Sequence, residues 1–141
     1  MDKQVIIIIG LPGSGKTTFG QSLENTHKLY DDFITHFYNG KVIDDLKEGV
    51  RVCLTDPRLC DYNVFVRFMN QIEKCVDRAH IHLVLFENDP ERCLENVQIR
   101  NTNMNGICET IKKLSCVYDI DKYKDYICQR RTAFLAKVLQ P

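Results

Sequence analysis

At 141 residues the chain has the length of one ordinary domain, enough to bury a core and too little for separate binding and catalytic domains. Hydrophobic residues make up 44% and charged residues 27% of it, a globular balance, and no apolar run approaches the roughly 20 residues that span a bilayer. Formal net charge is zero, which excludes a global electrostatic pull towards nucleic acid or an anionic membrane. A single domain over 1–141 with one site is expected.

Met1-Asp2-Lys3-Gln4 offers no basic leader, and the apolar run Val5 to Ile9 is too short for a signal peptide, so a cytoplasmic location is expected. The seven cysteines are odd in number and none has C-x-x-C spacing, which points to free structural thiols in a reducing compartment.

Short apolar runs alternate with helical segments along the chain, the pattern of an α/β domain with a parallel sheet. Val5 to Ile9 is a continuous β-branched run suited to a central strand buried on both faces, and Gly10 ends it. Lys16 to about Glu24 reads as a helix and Lys28 to Asp31 as a short strand. Phe33 to Glu48 reads as helical, interrupted at Asn39-Gly40. Val50 to Thr55 is the next strand, closed by Asp56-Pro57. Val64, Phe65, Phe68, Met69, Ile72 and Val76 mark one face of an amphipathic helix. Ile81 to Phe86 is a further strand, and Asp89-Pro90-Glu91 starts a helix with proline in its first turn. A polar loop is expected at Asn101 to Gly106, then helices over Ile107 to Val117 and Asp121 to Leu139. Gln129-Arg130-Arg131 with Lys137 falls on the last helix as a solvated basic face. Four strands are legible and a fifth is not.

Gly10-Leu11-Pro12-Gly13-Ser14-Gly15-Lys16-Thr17 matches G-x-x-x-x-G-K-[ST] completely, with an apolar strand before it and a helix after it. Glycines let backbone N–H groups turn inward and approach phosphate oxygens without a Cβ in the way. Lys16 supplies a point charge for the β- and γ-phosphates, Thr17 a hydroxyl for Mg²⁺, and Thr18 the next donor, to the α-phosphate. A nucleoside triphosphate, ATP or else GTP, bound with Mg²⁺ is therefore expected on Gly10 to Thr18. The base-reading N-K-x-D signature of switch GTPases is absent, and Val52-Cys53-Leu54-Thr55-Asp56 ends in one acid and Pro57 rather than paired acids. Size and pattern favour a small phosphotransferase over a motor-type ATPase.

Asp31-Asp32 follows the loop by one helix and one strand, where parallel topology returns the chain beside it. A carboxylate there can accept a proton from an attacking hydroxyl; it equally suits a helix N-cap. Gly10 to Thr18, Tyr30-Asp31-Asp32-Phe33, Thr55-Asp56 and Phe86-Glu87-Asn88-Asp89-Pro90-Glu91 together resemble the kinase domain of phage-type polynucleotide 5′-hydroxyl kinases. More broadly they resemble the small P-loop kinases that include adenylate, shikimate and gluconate kinases.

The resemblance implies a P-loop NTPase three-layer sandwich, with a small parallel sheet of four to five strands flanked by helices. It also implies an ATP- and Mg²⁺-dependent phosphotransferase, with a nucleoside, nucleotide or polynucleotide 5′ end as favoured acceptor. In that reading Asp31 is the acceptor base, Asp56 lies near Mg²⁺ or the acceptor, and residues about 90–106 form a lid carrying Arg100 to the migrating phosphoryl. The chain departs from the family pattern at Ile34 and Val97, where arginines are expected. A strand-ending turn at Asp56-Pro57 and a solvent-facing Arg100 are the bland alternatives. A nucleotide-controlled binding module and a simple NTPase are the alternative functions.

Overall fold

The computed structural model describes residues 2–100 and 104–133. Its strands are β1 (Val5–Ile9), β2 (Lys28–Asp31), β3 (Val52–Thr55), β4 (Ile81–Phe86) and β5 (Ile127–Arg131). Its helices are α1 (Lys16–Gln21), α2 (Phe33–Phe37), α3 (Lys41–Lys47), α4 (Tyr62–Ile72), α5 (Pro90–Arg100) and α6 (Met104–Ser115), with short 3₁₀ turns at Pro57–Cys60, Arg78–His80 and Ile120–Tyr123. The strands form one parallel sheet in the order β2-β3-β1-β4-β5. Helices flank it, giving the three-layer P-loop arrangement.

β1 sits at the centre because its side chains are apolar on both faces of the pleat. Val5, Ile7 and Ile9 enter the larger core while Ile6 and Ile8 enter a smaller one with Cys53, Val84 and Phe86, covered by Phe19, Leu23 and Leu29. All five residues of β1 are fully buried, each burial worth about 1.5–3 kcal/mol relative to exposure. In the larger core, α4 contributes Phe65, Phe68, Met69 and Ile72, the i, i+3, i+4, i+7 stripe of an amphipathic helix. The Asp61 carboxylate caps that helix by accepting from the Asn63 N–H. The break between α2 and α3 falls at Gly40, whose φ of +82° suits glycine. Among the described residues, no helix is long and apolar enough to cross a membrane.

Two expectations fail at the C-terminal side. The helix expected over Asp121 to Leu139 is, as far as residue 133, a 3₁₀ turn followed by the fifth strand; residues 134–141, Lys137 included, lie outside the described residues. The physical reason is tyrosine anchoring. Tyr118 donates to the Phe86 carbonyl at 2.6 Å, Tyr126 to Glu73 at 2.7 Å and Tyr123 to the Leu59 carbonyl. These bonds pin the segment along α4 and deliver Ile127 to the open edge of β4. The expected polar loop falls partly on residues 101–103, outside the described residues, while Met104 to Gly106 already belong to α6.

Candidate active site

β1 delivers Gly10 to Thr18 at the carboxyl end of the sheet. Gly13 and Gly15 take φ values of +83° and +102°, a left-handed backbone that other residues adopt at a cost. The curl closes with the Ser14 N–H donating to the Leu11 carbonyl at 3.1 Å. Ser14 is fully buried and its Oγ has no partner among the described residues, a hydrogen-bonding group open to a ligand oxygen. Lys16 is 7% exposed and its Nζ donates to the Leu11 carbonyl at 3.1 Å. Burial lowers its pKa, opposed by the nearby Cys60, Cys93, Asp31 and Asp32. Thr17 and Thr18 remain exposed.

Strand register brings the acidic residues to the loop. Ile8 pairs with Thr55 and Thr55 with Asp31 across adjacent parallel strands, so the three form a row at the sheet's carboxyl end. Thr55 donates its hydroxyl to Asp31 Oδ1 at 2.7 Å, and Thr17 donates to Asp31 Oδ2 at 3.4 Å. Asp32 follows in a left-handed conformation, φ +50°, the sole non-glycine residue at positive φ among those described. It occupies the N-cap position of α2 without a side-chain capping bond. Partial burial raises its carboxyl pKa, with the charges of Asp31 and Asp56 adding to the rise and Lys16 and Arg58 opposing it.

Asp56 is fully buried. Its Oδ1 accepts from Arg58 N and Arg58 Nε, both at 2.9 Å, and its Oδ2 from Ile34 N at 3.2 Å and Arg58 Nη2 at 2.8 Å. Four donors fill the lone-pair sites of a carboxylate. Asp56, expected near Mg²⁺ or the acceptor, is bonded in this arrangement to Arg58 and to the start of α2. Among the described residues, no group of three or more His, Cys, Asp or Glu is placed to hold a metal ion. The oxygen donors beside the loop are the Thr17 hydroxyl and the Asp31 carboxylate. That hard, sparse set fits Mg²⁺, which keeps several waters and shares its shell with phosphate oxygens.

Helix α5, the expected lid, is seated on the loop. Asn96, fully buried, donates Nδ2 to the Gly13 carbonyl at 2.8 Å. A Cβ on Gly13 would lie 2.7 Å from the Cys93 carbonyl oxygen and 3.0 Å from Val97 Cγ2. Arg100, the last residue of α5, is exposed and stands one helical turn beyond Asn96; no hydrogen bond ties it to the loop among the described residues. Arg92 is committed elsewhere, donating to the Ala133 carbonyl at 3.2 Å. All seven cysteines are free thiols; burial pushes Cys60 up to about 12 and Cys93 to about 11, which makes both unreactive.

Sequence reading missed the far flank of the loop. Gly15, Thr18, Phe19, Ser22, Phe86, Arg131 and Thr132 line a cleft of about 320 Å³, with the Arg131 guanidinium 4.5 Å from the Phe19 ring centroid. Treating 121–139 as a helix hid Arg131. Arg131 ends β5, whose pairing with β4 no spacing in the sequence encodes.

No family model matches the chain. Its fold is similar to that of a gluconokinase from Sinorhizobium meliloti 1021, at 11% identity and a TM-score of 0.59, over 96% of this chain and 86% of that one. It is also similar to an uncharacterized protein from Eubacterium ventriosum ATCC 27560, at 16% identity and a TM-score of 0.51, over 96% of this chain and 94% of that one. An uncharacterized protein of Acanthamoeba polyphaga mimivirus is 47% identical over 137 residues, 95% of this chain and 99% of that protein. The chain thus has the fold of a small P-loop kinase and belongs to the same family as that mimivirus protein.

Proposed function

We propose that this chain is a single-domain, cytoplasmic phosphotransferase that moves the γ-phosphoryl group of ATP, or of GTP in its place, to an acceptor hydroxyl. The observation that carries the reading is the meeting of Thr17 and Asp31 beside a complete phosphate loop. Gly10, Leu11, Pro12, Gly13, Ser14 and Gly15 wrap the phosphates with backbone N–H groups, Lys16 places its charge on the β- and γ-phosphates, and Thr18 reaches the α-phosphate. Thr17 would hold Mg²⁺, which when bound neutralises phosphate charge. The base end of the nucleotide fits the Phe19–Arg131 cleft, an aromatic face and a guanidinium suited to stacking.

In the reaction the acceptor oxygen attacks the γ-phosphorus and its proton passes to Asp31, held by Thr55. The bond to the bridging oxygen breaks, and its electron pair leaves with the nucleoside diphosphate. Residues about 90–106 act as the lid, with Arg100 meeting the charge that develops on the equatorial oxygens. The acceptor order follows the likeness of Tyr30 to Phe33 to polynucleotide kinases: nucleoside, nucleotide or polynucleotide 5′ end first, then small metabolites such as the sugar acid of the gluconokinase.

The test is transfer from γ-labelled ATP to a panel of these acceptors, with Lys16→Ala as control. The wild type labels at least one acceptor and Lys16→Ala labels none; equal labelling by both rejects the assignment. The exposed position of Arg100 favours one second reading, a nucleotide-controlled binding module. Its signature is tight ATP binding with transfer to nothing, water included, whereas phosphate release independent of acceptor marks a simple NTPase.

A further inference from the structure

We infer that Asn96 is a positioning residue for the phosphate loop: from helix α5 it holds the Gly13 carbonyl, so that the Thr17 N–H stays open to a phosphate oxygen. The inference rests on the reading of Gly10 to Thr18 as a nucleotide site and adds to it a residue from outside the loop. Cys93, Asn96 and Val97 are the buried residues of α5, spaced i, i+3 and i+4 on one face. That face lies on Gly13. Asn96 is fully buried and its Nδ2 donates to the Gly13 carbonyl at 2.8 Å. A Cβ on Gly13 would stand 2.7 Å from the Cys93 carbonyl oxygen, so the close approach that makes this bond depends on glycine.

Helix geometry gives the bond its consequence. An α-helix pairs each N–H with the carbonyl four residues back. Phe19 obeys this, its N–H donating to the Gly15 carbonyl at 3.0 Å. The carbonyl that stands in the same relation to Thr17 is that of Gly13, and among the described residues no backbone N–H donates to it. Asn96 occupies it instead. The other end of the same peptide is also tied, since the Ser14 N–H donates to the Leu11 carbonyl at 3.1 Å, where Lys16 Nζ donates as well. The Gly13–Ser14 peptide is thus fixed at its oxygen and at its N–H, beside a glycine whose φ of +83° shows how little the backbone alone restrains it.

The residue type fits this task. Asparagine is a poor helix former, and a buried amide is unfavourable unless it is bonded. Packing alone would be served by an apolar side chain, as it is at Val97. A carboxylate of the same shape has no donor to offer the carbonyl. Without Asn96 the peptide is free to rotate until the Gly13 carbonyl takes the Thr17 N–H, which withdraws one donor from the group of backbone N–H groups that receives the phosphates.

Hydrogen exchange and binding together test this. In the nucleotide-free wild type the amide of Thr17, an exposed residue, should exchange rapidly, and Mg²⁺ with a non-hydrolysable ATP analogue should protect it. Leucine has the branching of asparagine with methyl groups in place of the amide oxygen and nitrogen, so Asn96→Leu removes the donor and fills the space that a bridging water would need. In this variant the nucleotide-free Thr17 amide should exchange at least about ten-fold more slowly than in the wild type, as for one hydrogen bond gained. Calorimetry should show the affinities for the ATP analogue and for tripolyphosphate, each with Mg²⁺, falling by a common factor of about ten. A merely structural loss has the opposite sign at Thr17, because local loosening speeds exchange. Ile72→Val, a core change on α4 that lowers stability, should leave both affinities unchanged and Thr17 exchange no slower. Should Asn96→Leu not fold, Asn96→Ala carries the same measurements. Protection of Thr17 in the nucleotide-free wild type overturns the inference, as does failure of either the exchange or the affinity prediction in a folded variant. No binding of either ligand by the wild type rejects the nucleotide reading and this inference with it, whereas wild-type binding that the variants retain in full rejects the inference alone.

Discussion

The two flanks of the phosphate loop are built on opposite principles. On the β2–β3 flank, polar side chains are locked to one another: Thr55 and Thr17 on Asp31, and Arg58 and Ile34 N on Asp56. On the β4–β5 flank, a phenylalanine ring and a guanidinium face each other beside a cleft lined by Phe86 and Thr132, with Ser22 and Thr18 as its other polar side chains. Fixed dipoles and charges matter most where charge moves during reaction, because they need no reorganisation at that moment. Stacking surfaces matter where a flat group must be held without chemistry. On the proposed function, turnover belongs to the first flank and nucleotide affinity to the second.

The largest effect that can break this division is at Asp31. Asp31→Asn should lower turnover by roughly 10²- to 10⁴-fold, the range of a lost general base, while the dissociation constant for Mg²⁺-ATP stays within a few fold. Full transfer by this variant would remove Asp31 from the mechanism. Next comes Phe19→Ala on the opposite flank. Its ATP affinity should fall by about ten-fold, as for a lost base-stacking surface, with turnover at saturating ATP unchanged. A drop in saturated turnover without an affinity change would blur the two flanks.

The smallest expected effect sharpens the first flank. Burial and the charges of Asp31 and Asp56 raise the Asp32 pKa, so the folded chain holds that proton more tightly than the unfolded one. Stability consequently falls as pH rises from the ordinary carboxylate range through the raised folded value. Asparagine tolerates the same left-handed backbone and carries no charge. Asp32→Asn should melt slightly above the wild type at neutral pH, by no more than about 2 °C for so exposed a group. The difference should vanish below the ordinary carboxylate range. A melting difference independent of pH would show that charge at Asp32 is not its cause.

The same contrast governs what could be read from the chain itself. The β2–β3 flank was legible because its strands are short apolar or alternating runs, and because parallel order after a phosphate loop returns the chain beside it. Asp31 was found on that ground. The partner that Asp56 takes was not, since four donors converging on one carboxylate depend on side-chain directions that no spacing encodes.

The β4–β5 flank was illegible for a different reason. Ile127-Cys128-Gln129-Arg130-Arg131 has only its first two residues apolar, it pairs with a single neighbour, and four of its five residues are exposed. A strand of that kind is specified by the open edge it fills and by the tyrosines that lead into it, not by its own propensity. Asn96 shows the limit within a correctly read helix: the existence of α5 followed from Asp89-Pro90, but its seat on the Gly13 carbonyl is a tertiary fact.

The central claim is that Gly10 to Thr18 holds the phosphates of Mg²⁺-ATP. Backbone amide spectra of the ¹⁵N-labelled protein, titrated with Mg²⁺ and a non-hydrolysable ATP analogue, test it most directly. Saturable shifts should concentrate on Gly13, Gly15, Lys16, Thr17 and Thr18, extend to Phe19 and Arg131, and disappear in Lys16→Ala. Absence of shifts in the loop, or a response unchanged in Lys16→Ala, would contradict the account.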